Sequence, residues 1–150
     1  MTAPVKLQFG TARPGLDYRH RAAVFGLVEA DGLLACVRVE REGGGYFDLP
    51  GGAVDGTESE AEALVREFLE ETGLQIAPDD RIAEAGQFFQ KSDGTPVNNV
   101  GGFWTARRVG FDAEAKCEAD HTLVWLAPQA AIARLRHDAH AWAVAAWMRR

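Results

Sequence analysis

Three glutamates, Glu67, Glu70 and Glu71, fall inside the stretch REFLEETGL, residues 66–74. Steps of three and four put them on one face of any helix that carries them, where each like-charged pair costs roughly 0.2–0.5 kcal/mol. Gly73 is placed to end that helix in the left-handed conformation. The acids therefore crowd the end where unpaired carbonyls carry partial negative charge and cations are the favoured occupants. A bound cation removes both penalties. Carboxylate oxygens on one face are the half-shell that Mg2+ takes, the rest coming from water and from substrate phosphates. An ion held this way neutralises phosphate oxygens and activates water.

The elements that position these acids can be read from periodicity. Ala61, Leu64, Val65 and Phe68 recur at helical spacing and predict one apolar stripe. Thr57 or Ser59 is the expected N-cap. The glutamates lie on an arc beside the stripe, so the helix should dock on a sheet and show its carboxylates at the edge of a cleft. Glu60, Glu62 and Asp55 read as surface charges. Upstream, RAAVFGLVEADGLLACVRVER holds two apolar runs around Asp31-Gly32, a hairpin signal, with strands near 22–29 and 33–40. Residues 1–20 read as an irregular or edge segment, and Tyr46 to Leu49 as a short strand in a glycine-rich loop. Downstream, 81–90 and 97–109 read as strands around the turn KSDGTP, 122–127 as another strand, and 129–135 and 140–150 as helices. The class is α/β, a mixed sheet covered by helices.

A chain of 150 residues fits one domain, 1–150. Its formal net charge of −6, with no run of five basic residues, disfavours extended nucleic acid and anionic membrane surfaces as partners. A small phosphorylated ligand fits only where something local cancels the charge. The N-terminus lacks a secretory pattern, and the longest apolar run, 141–148, is far short of the roughly 18 residues of a membrane span. A cytoplasmic protein is expected. Cys36 and Cys117 lack metal or disulfide spacing, and Cys36, in LLACV, reads as a buried thiol.

Around the glutamates, Gly52 to Leu74 follows a fixed grammar: Gly, five residues, Glu58, seven residues, Arg66-Glu67, Phe68, any residue, Glu70-Glu71, any residue, Gly73, Leu74. This resembles the signature of the Nudix hydrolases at every specified position, and YFDLPGG resembles the strand and paired glycines before that box. The resemblance implies a Nudix-like α/β/α sandwich with the box as a loop-helix-loop. It also implies Mg2+- or Mn2+-dependent attack of water on a diphosphate linkage. Residue by residue, it implies Glu67 and Glu71 as metal ligands and Glu70 as a third ligand or supporting partner. The Gly51 carbonyl is a further ligand, and Gly52 opens the box. Glu67 doubles as the water-orienting base in some members, Arg66 fixes a carboxylate, and Glu58 supports the site. One departure is Thr57, where many members carry glycine; here the glycine falls at Gly56.

Members often recruit an acid from a late loop, for which Glu118 and Asp120 are the candidates. His121 reads as a surface or packing residue. Arg38 is a candidate phosphate contact, and Phe89, Trp104 and Trp125 are candidates for stacking on a base or for the core. The proline and tyrosine that mark ADP-ribose and dinucleoside polyphosphate hydrolases beyond the box are absent. Expected substrates are nucleoside triphosphates, oxidised nucleotides or nucleotide sugars, with a homodimer possible. The alternatives are a nucleotide-sensing domain that does not hydrolyse and an isomerase needing a cysteine in the cleft.

Overall fold

The computed structural model describes residues 7–150, so the first six residues of the expected N-terminal segment lie outside the described residues. The fold is organised on strand β2 (Arg19–Ala30), which is apolar on both faces because both are covered. Val24 and Val28 pack into one core cluster, while Ala23, Phe25 and Leu27 pack into the other, as a two-residue side-chain period requires. Between the two valines, Gly26 lets the ring of Phe68 lie against the strand; a Cβ there would come within 2.6 Å of it.

The expected hairpin is present. Asp31 (φ 53°) and Gly32 (φ 78°) take the left-handed geometry of a tight two-residue turn into β3 (Leu33–Val39). Strand β3 pairs antiparallel with β4 (Tyr46–Asp48) and with β8 (His121–Leu126). On its other side, β2 pairs antiparallel with β5 (Gly51–Ala53) and parallel with β7 (Pro96–Phe111). Strand β7 is the antiparallel partner of β6 (Leu74–Gln90), which carries the parallel edge strand β1 (Leu7–Phe9). Helix α1 (Glu60–Thr72) covers one face through Leu64 and Phe68. Helices α2 (Pro128–Arg134) and α3 (Asp138–Met148) cover the other through Ala131, Ala143 and Val144. The result is the expected α/β/α layering of a mixed, open sheet.

Two expectations need correction. Strand β6 starts at Leu74, not at 81, because Pro78-Asp79-Asp80 does not turn the chain. Register shifts on either side of Arg81 absorb these residues as bulges while pairing with β7 continues, which spares the proline a ladder hydrogen bond. The buried face of α1 is also rotated from the expected stripe. Ala63, Leu64, Phe68, Glu71 and Thr72 are buried, whereas Val65 is exposed. Glu71 is therefore more deeply buried than the expected position at a cleft edge, though it still lines the cleft described below.

Among the described residues no helix is long and apolar enough to cross a membrane. Replacing Gly26 with alanine should destabilise the fold by about 1–3 kcal/mol through overpacking against Phe68. Denaturant titration of wild type and Gly26→Ala checks this, and equal midpoints would show that the helix can shift to admit the methyl group.

Candidate functional site

Helix α1 is fixed at both ends. The Ser59 side chain accepts from the Glu62 N–H at 3.1 Å while the Glu62 carboxylate accepts from the Ser59 N–H at 2.9 Å, a reciprocal capping box. Ser59, not Thr57, is the cap, and Glu62 belongs to it. At the far end Gly73 (φ 80°) closes the helix, and the N–H groups of Cys117 and Glu118 donate to the Glu70 carbonyl. The last turn of α1 carries no basic residue.

Two glycines make room for the buried acids. Gly51 has φ 148°, and a Cβ there would lie 2.1 Å from the Val24 carbonyl oxygen. Its N–H donates to Glu71 Oε1 at 3.1 Å. A Cβ on Gly52 would stand 2.8 Å from the Glu67 carboxylate carbon. Any larger residue at either position displaces backbone or acid.

Arg66 gathers the other acids. Its Nε and Nη2 donate to the two oxygens of Glu58 at 2.7 and 2.9 Å, a bidentate pair. Its Nη1 donates to Glu67 Oε1 at 3.0 Å and to Glu70 Oε2 at 3.3 Å, and Nη2 also reaches the Ala53 carbonyl. The Arg66 pair holds the Glu58 carboxyl down at about 2, helped by the Asp55 N–H that Glu58 also accepts. The missing glycine at Thr57 does no harm, because Gly56 takes the positive φ of 51° and leaves Glu58 in place.

The metal-candidate acids behave in the opposite sense. Burial pushes Glu71 well above its ordinary value, with the Gly51 N–H offsetting part of that and Glu67 adding to it. Burial also raises Glu67, against the pull of Arg66. Glu71 is buried and Glu67 is half-buried and paired with Arg66, yet burial raises both, and beside the glycine pair 51–52 they fit a hard cation taking oxygen ligands. Glu67, Glu70, Glu71 and the Gly51 carbonyl could hold it.

The late-loop acids come to the same place. Glu118 lies in one cluster of possible ligands with Glu70 and Cys117, and in another with Asp120 and His121. His121 is neither loose nor merely packed. Its Nε2 is 3.3 Å from Glu71 Oε2 and its Nδ1 is 2.8 Å from Asp120 Oδ1. Asp120 in turn pairs with Arg41.

Beside the acids lies a cleft of about 170 Å³ lined by Tyr46, Asp48, Phe89 and His121, among others, and by Arg21, Arg41, Lys91 and Arg136. Arg136 sits 3.7 Å above the centre of the Tyr46 ring and donates to Asp48 at 2.8 Å. Burial raises Asp48 to about 6 even against that partner. Several expectations fail here. Arg38 is outside the cleft lining, paired with Glu40. Trp104 donates from Nε1 to Glu60 Oε1 at 2.8 Å, and Glu60 also binds Arg81, so Glu60 is a structural anchor and not a plain surface charge. Trp125 packs against the core beneath α1, so of the three expected aromatics Phe89 lines the cleft, beside Phe25 and Tyr46. Cys36 is fully buried, as expected, and burial pushes its thiol up to about 12. Of the cleft cations, Arg21 is signalled only by a charge opening the run RAAVF, and Arg136 by nothing in the sequence.

The sequence pattern of the NUDIX domain matches residues 17–148, most of the chain. The chain belongs to the NUDIX family. A putative 8-oxo-dGTP diphosphatase of Bacillus subtilis is 45% identical over 65 residues, 43% of this chain and 42% of that protein. Among solved structures, a NUDIX hydrolase from Nitrosomonas europaea aligns with a TM-score of 0.72 at 21% identity, covering 87% of this chain and 89% of that one. A MutT protein from Methanosarcina mazei aligns with a TM-score of 0.64 at 24% identity, covering 90% and 95%. These structures share the fold of this NUDIX chain.

The raised acids of the metal-free NUDIX chain make its stability depend on pH in a defined direction. A carboxyl whose folded value lies above its unfolded one binds more protons when folded. Its contribution is therefore complete below the ordinary value of 4.5 and is lost as pH rises through the folded value. This acid contribution should fall from about pH 4.5 upward, while buried neutral His137 and His140 contribute in the opposite sense up to about 6.5, so it is read from the difference between wild type and Glu71→Gln. Glu71→Gln should be more stable than wild type at pH 7 without metal, by roughly 1.4 kcal/mol for each pH unit by which burial raises Glu71. Thermal melts of both proteins in EDTA across pH check this, and a difference between them that does not grow with pH would show that Glu71 is ionised without strain.

Proposed function

We propose that this chain is a divalent-metal-dependent pyrophosphohydrolase of nucleoside diphosphate derivatives. The observation that carries the reading is the juxtaposition of two acids that burial raises, half-buried Glu67 and buried Glu71, with a cleft bearing four cationic side chains in a chain of net charge −6. The acids call for a metal and the cations for an anion, and a polyphosphate bridges both needs.

In this reading Glu67, Glu71, Glu70 and the Gly51 carbonyl hold Mg2+ or Mn2+. The bound ion neutralises phosphate oxygens and favours ionisation of water. The chain's own groups do the rest. Arg66 holds Glu67 through Oε1, which leaves Oε2 to accept a proton from the attacking water. Burial raises Glu67, the direction that strengthens it as a proton acceptor. Water oxygen bonds to phosphorus, the bridging oxygen leaves with the departing phosphate, and the proton passes to Glu67. Arg21, Arg41 and Lys91, in the same cleft as Glu71, grip the phosphates, and Glu118 supplies a further carboxylate beside Glu70. The Bacillus subtilis relative's name supports a nucleoside triphosphate, normal or oxidised, as the substrate class.

The test is a panel of nucleoside triphosphates, 8-oxo-dGTP, nucleotide sugars and ADP-ribose incubated with Mg2+, with products identified by mass. Cleavage of one class, abolished by EDTA, is expected. Glu67→Gln should lower kcat by about a thousandfold, near 4 kcal/mol of barrier, while the protein stays folded. Near-full turnover by Glu67→Gln would remove it from the chemistry. Metal-dependent binding of one panel member without turnover by wild type would instead make the chain a nucleotide sensor. Arg41→Ala should raise KM and leave kcat within a few-fold, since it grips charge that substrate and transition state share.

A further inference from the structure

An imidazole faces the carboxylate end of α1. His121 opens β8, where the antiparallel ladder sets it opposite Val39, and the Glu40 N–H donates to the Asp120 carbonyl at 2.9 Å just before it. Its side chain is 15% exposed and lines the cleft. The ring is held between two carboxylates, with Nδ1 2.8 Å from Asp120 Oδ1 and Nε2 3.3 Å from Glu71 Oε2. The other histidines of the chain lie elsewhere, His20 on β2 and His137 and His140 at the start of α3.

The remaining oxygens of the two acids are engaged. Asp120 Oδ2 pairs with Arg41 Nη1, so both oxygens of Asp120 are taken and it is not free to hold an ion. Glu71 Oε1 accepts the Gly51 N–H, so Oε2 is the oxygen it has to offer. A neutral imidazole carries one N–H, and the shorter contact, to Asp120, places it on Nδ1. Nε2 then presents a lone pair to Glu71 Oε2, and two lone pairs in that position need a positive charge beside them. Donors about 2.1 Å from one metal ion stand about 3.0 Å apart in an octahedron and about 3.4 Å apart in a tetrahedron. The observed separation of 3.3 Å falls within that range. A carboxylate behind the far nitrogen is also what a metal-bound histidine almost always has, since it fixes the tautomer and raises the basicity of the ligating nitrogen.

We infer that His121 Nε2 is a ligand to the divalent ion together with Glu71 Oε2, and that Asp120, braced by Arg41, is the positioning residue behind it. The inference rests on the proposed metal at the α1 acids and adds a nitrogen to its oxygen ligands. Glu118 stands close by, since donor atoms of Glu118, Asp120 and His121 lie within 4.8 Å of one another. The nitrogen has a consequence for which ion is held. Carboxylate and carbonyl oxygens suit Mg2+ and Mn2+, whereas imidazole strengthens binding of later transition ions such as Co2+ and Zn2+. His121 therefore moves the selectivity of the site away from Mg2+ and toward transition ions.

The experiment is pulsed electron paramagnetic resonance on the full chain, stripped of metal and loaded with substoichiometric Mn2+, made once with natural histidine and once with 15N-labelled histidine. Wild type should show modulation from a directly bound 14N that changes to the 15N pattern on labelling, and His121→Gln should lose it. In binding titrations His121→Gln should weaken Co2+ by about tenfold or more and leave Mg2+ within about threefold. Asp120→Asn should keep the nitrogen signal and weaken Co2+ more than Mg2+, which a general loss of charge or of folding would not do. Mn2+ held without nitrogen modulation in labelled wild type overturns the inference without recourse to any variant, and would make His121 a hydrogen-bonding bridge between two carboxylates. Modulation that persists in His121→Gln, or in His121→Asn if the first variant does not fold, overturns it as well. Failure of wild type to bind Mn2+ at all overturns both this ligand and the proposed metal dependence. Nitrogen-coupled Mn2+ without hydrolysis of the substrate panel would leave the ligand standing and remove the proposed activity instead.

Discussion

The structure depends on a carboxylate, Glu71, buried at the C-terminal end of a helix beneath the glycine pair 51–52. Glu71 is 7% exposed and its one backbone donor is Gly51. Nothing in the last turn of α1 offsets its charge. Such an arrangement opposes folding unless protons or a cation relieve it. It persists because neighbouring parts of the fold over-determine it. Gly51 cannot carry a side chain without striking β2, Phe68 fixes the helix against Gly26, and the capping box sets where the helix begins.

Arg66 limits how much charge the acids share. Its bidentate grip on Glu58, together with contacts to Glu67 and Glu70, ties the loop before α1 to the helix itself. Glu58 is thereby kept ionised and occupied, so it does not compete for a cation. Glu67 is held by one oxygen only. The same guanidinium thus sorts the acids into a structural one and ones with a free oxygen. Glu71, which Arg66 does not touch, is the acid left most in need of a positive partner.

Much of this was legible in the sequence because it is local. The spacing of Glu58, Arg66, Glu67, Glu70 and Glu71 states which residues share a helix face, and Gly73 and Asp31-Gly32 announce their own backbone geometry. The rotation of α1 was misread because apolar periodicity cannot see that glycines opposite would admit a carboxylate to the buried side. Strand β6 was cut short because Pro78-Asp79-Asp80 has turn chemistry, and only pairing with β7 overrides it. The cleft was largely illegible. Arg21, Arg41, Tyr46 and Arg136 meet through sheet register and helix docking, and no spacing along the chain encodes that.

The two ends of the cleft are joined by one short segment. Residues 46–52 carry Tyr46 and Asp48 into the cleft and Gly51 and Gly52 to the acids. That segment is fastened to the layer on the opposite face of the sheet. The Arg136 N–H donates to the Phe47 carbonyl, the Arg136 guanidinium grips Asp48, and the Leu49 N–H donates to His140 Nδ1 at 3.2 Å. His140 is fully buried, and burial keeps its ring neutral, so Nδ1 remains an acceptor for that bond. Gly51 lies only two residues beyond Leu49. The hydrogen bond that orients Glu71 therefore comes from a backbone held in place by α3.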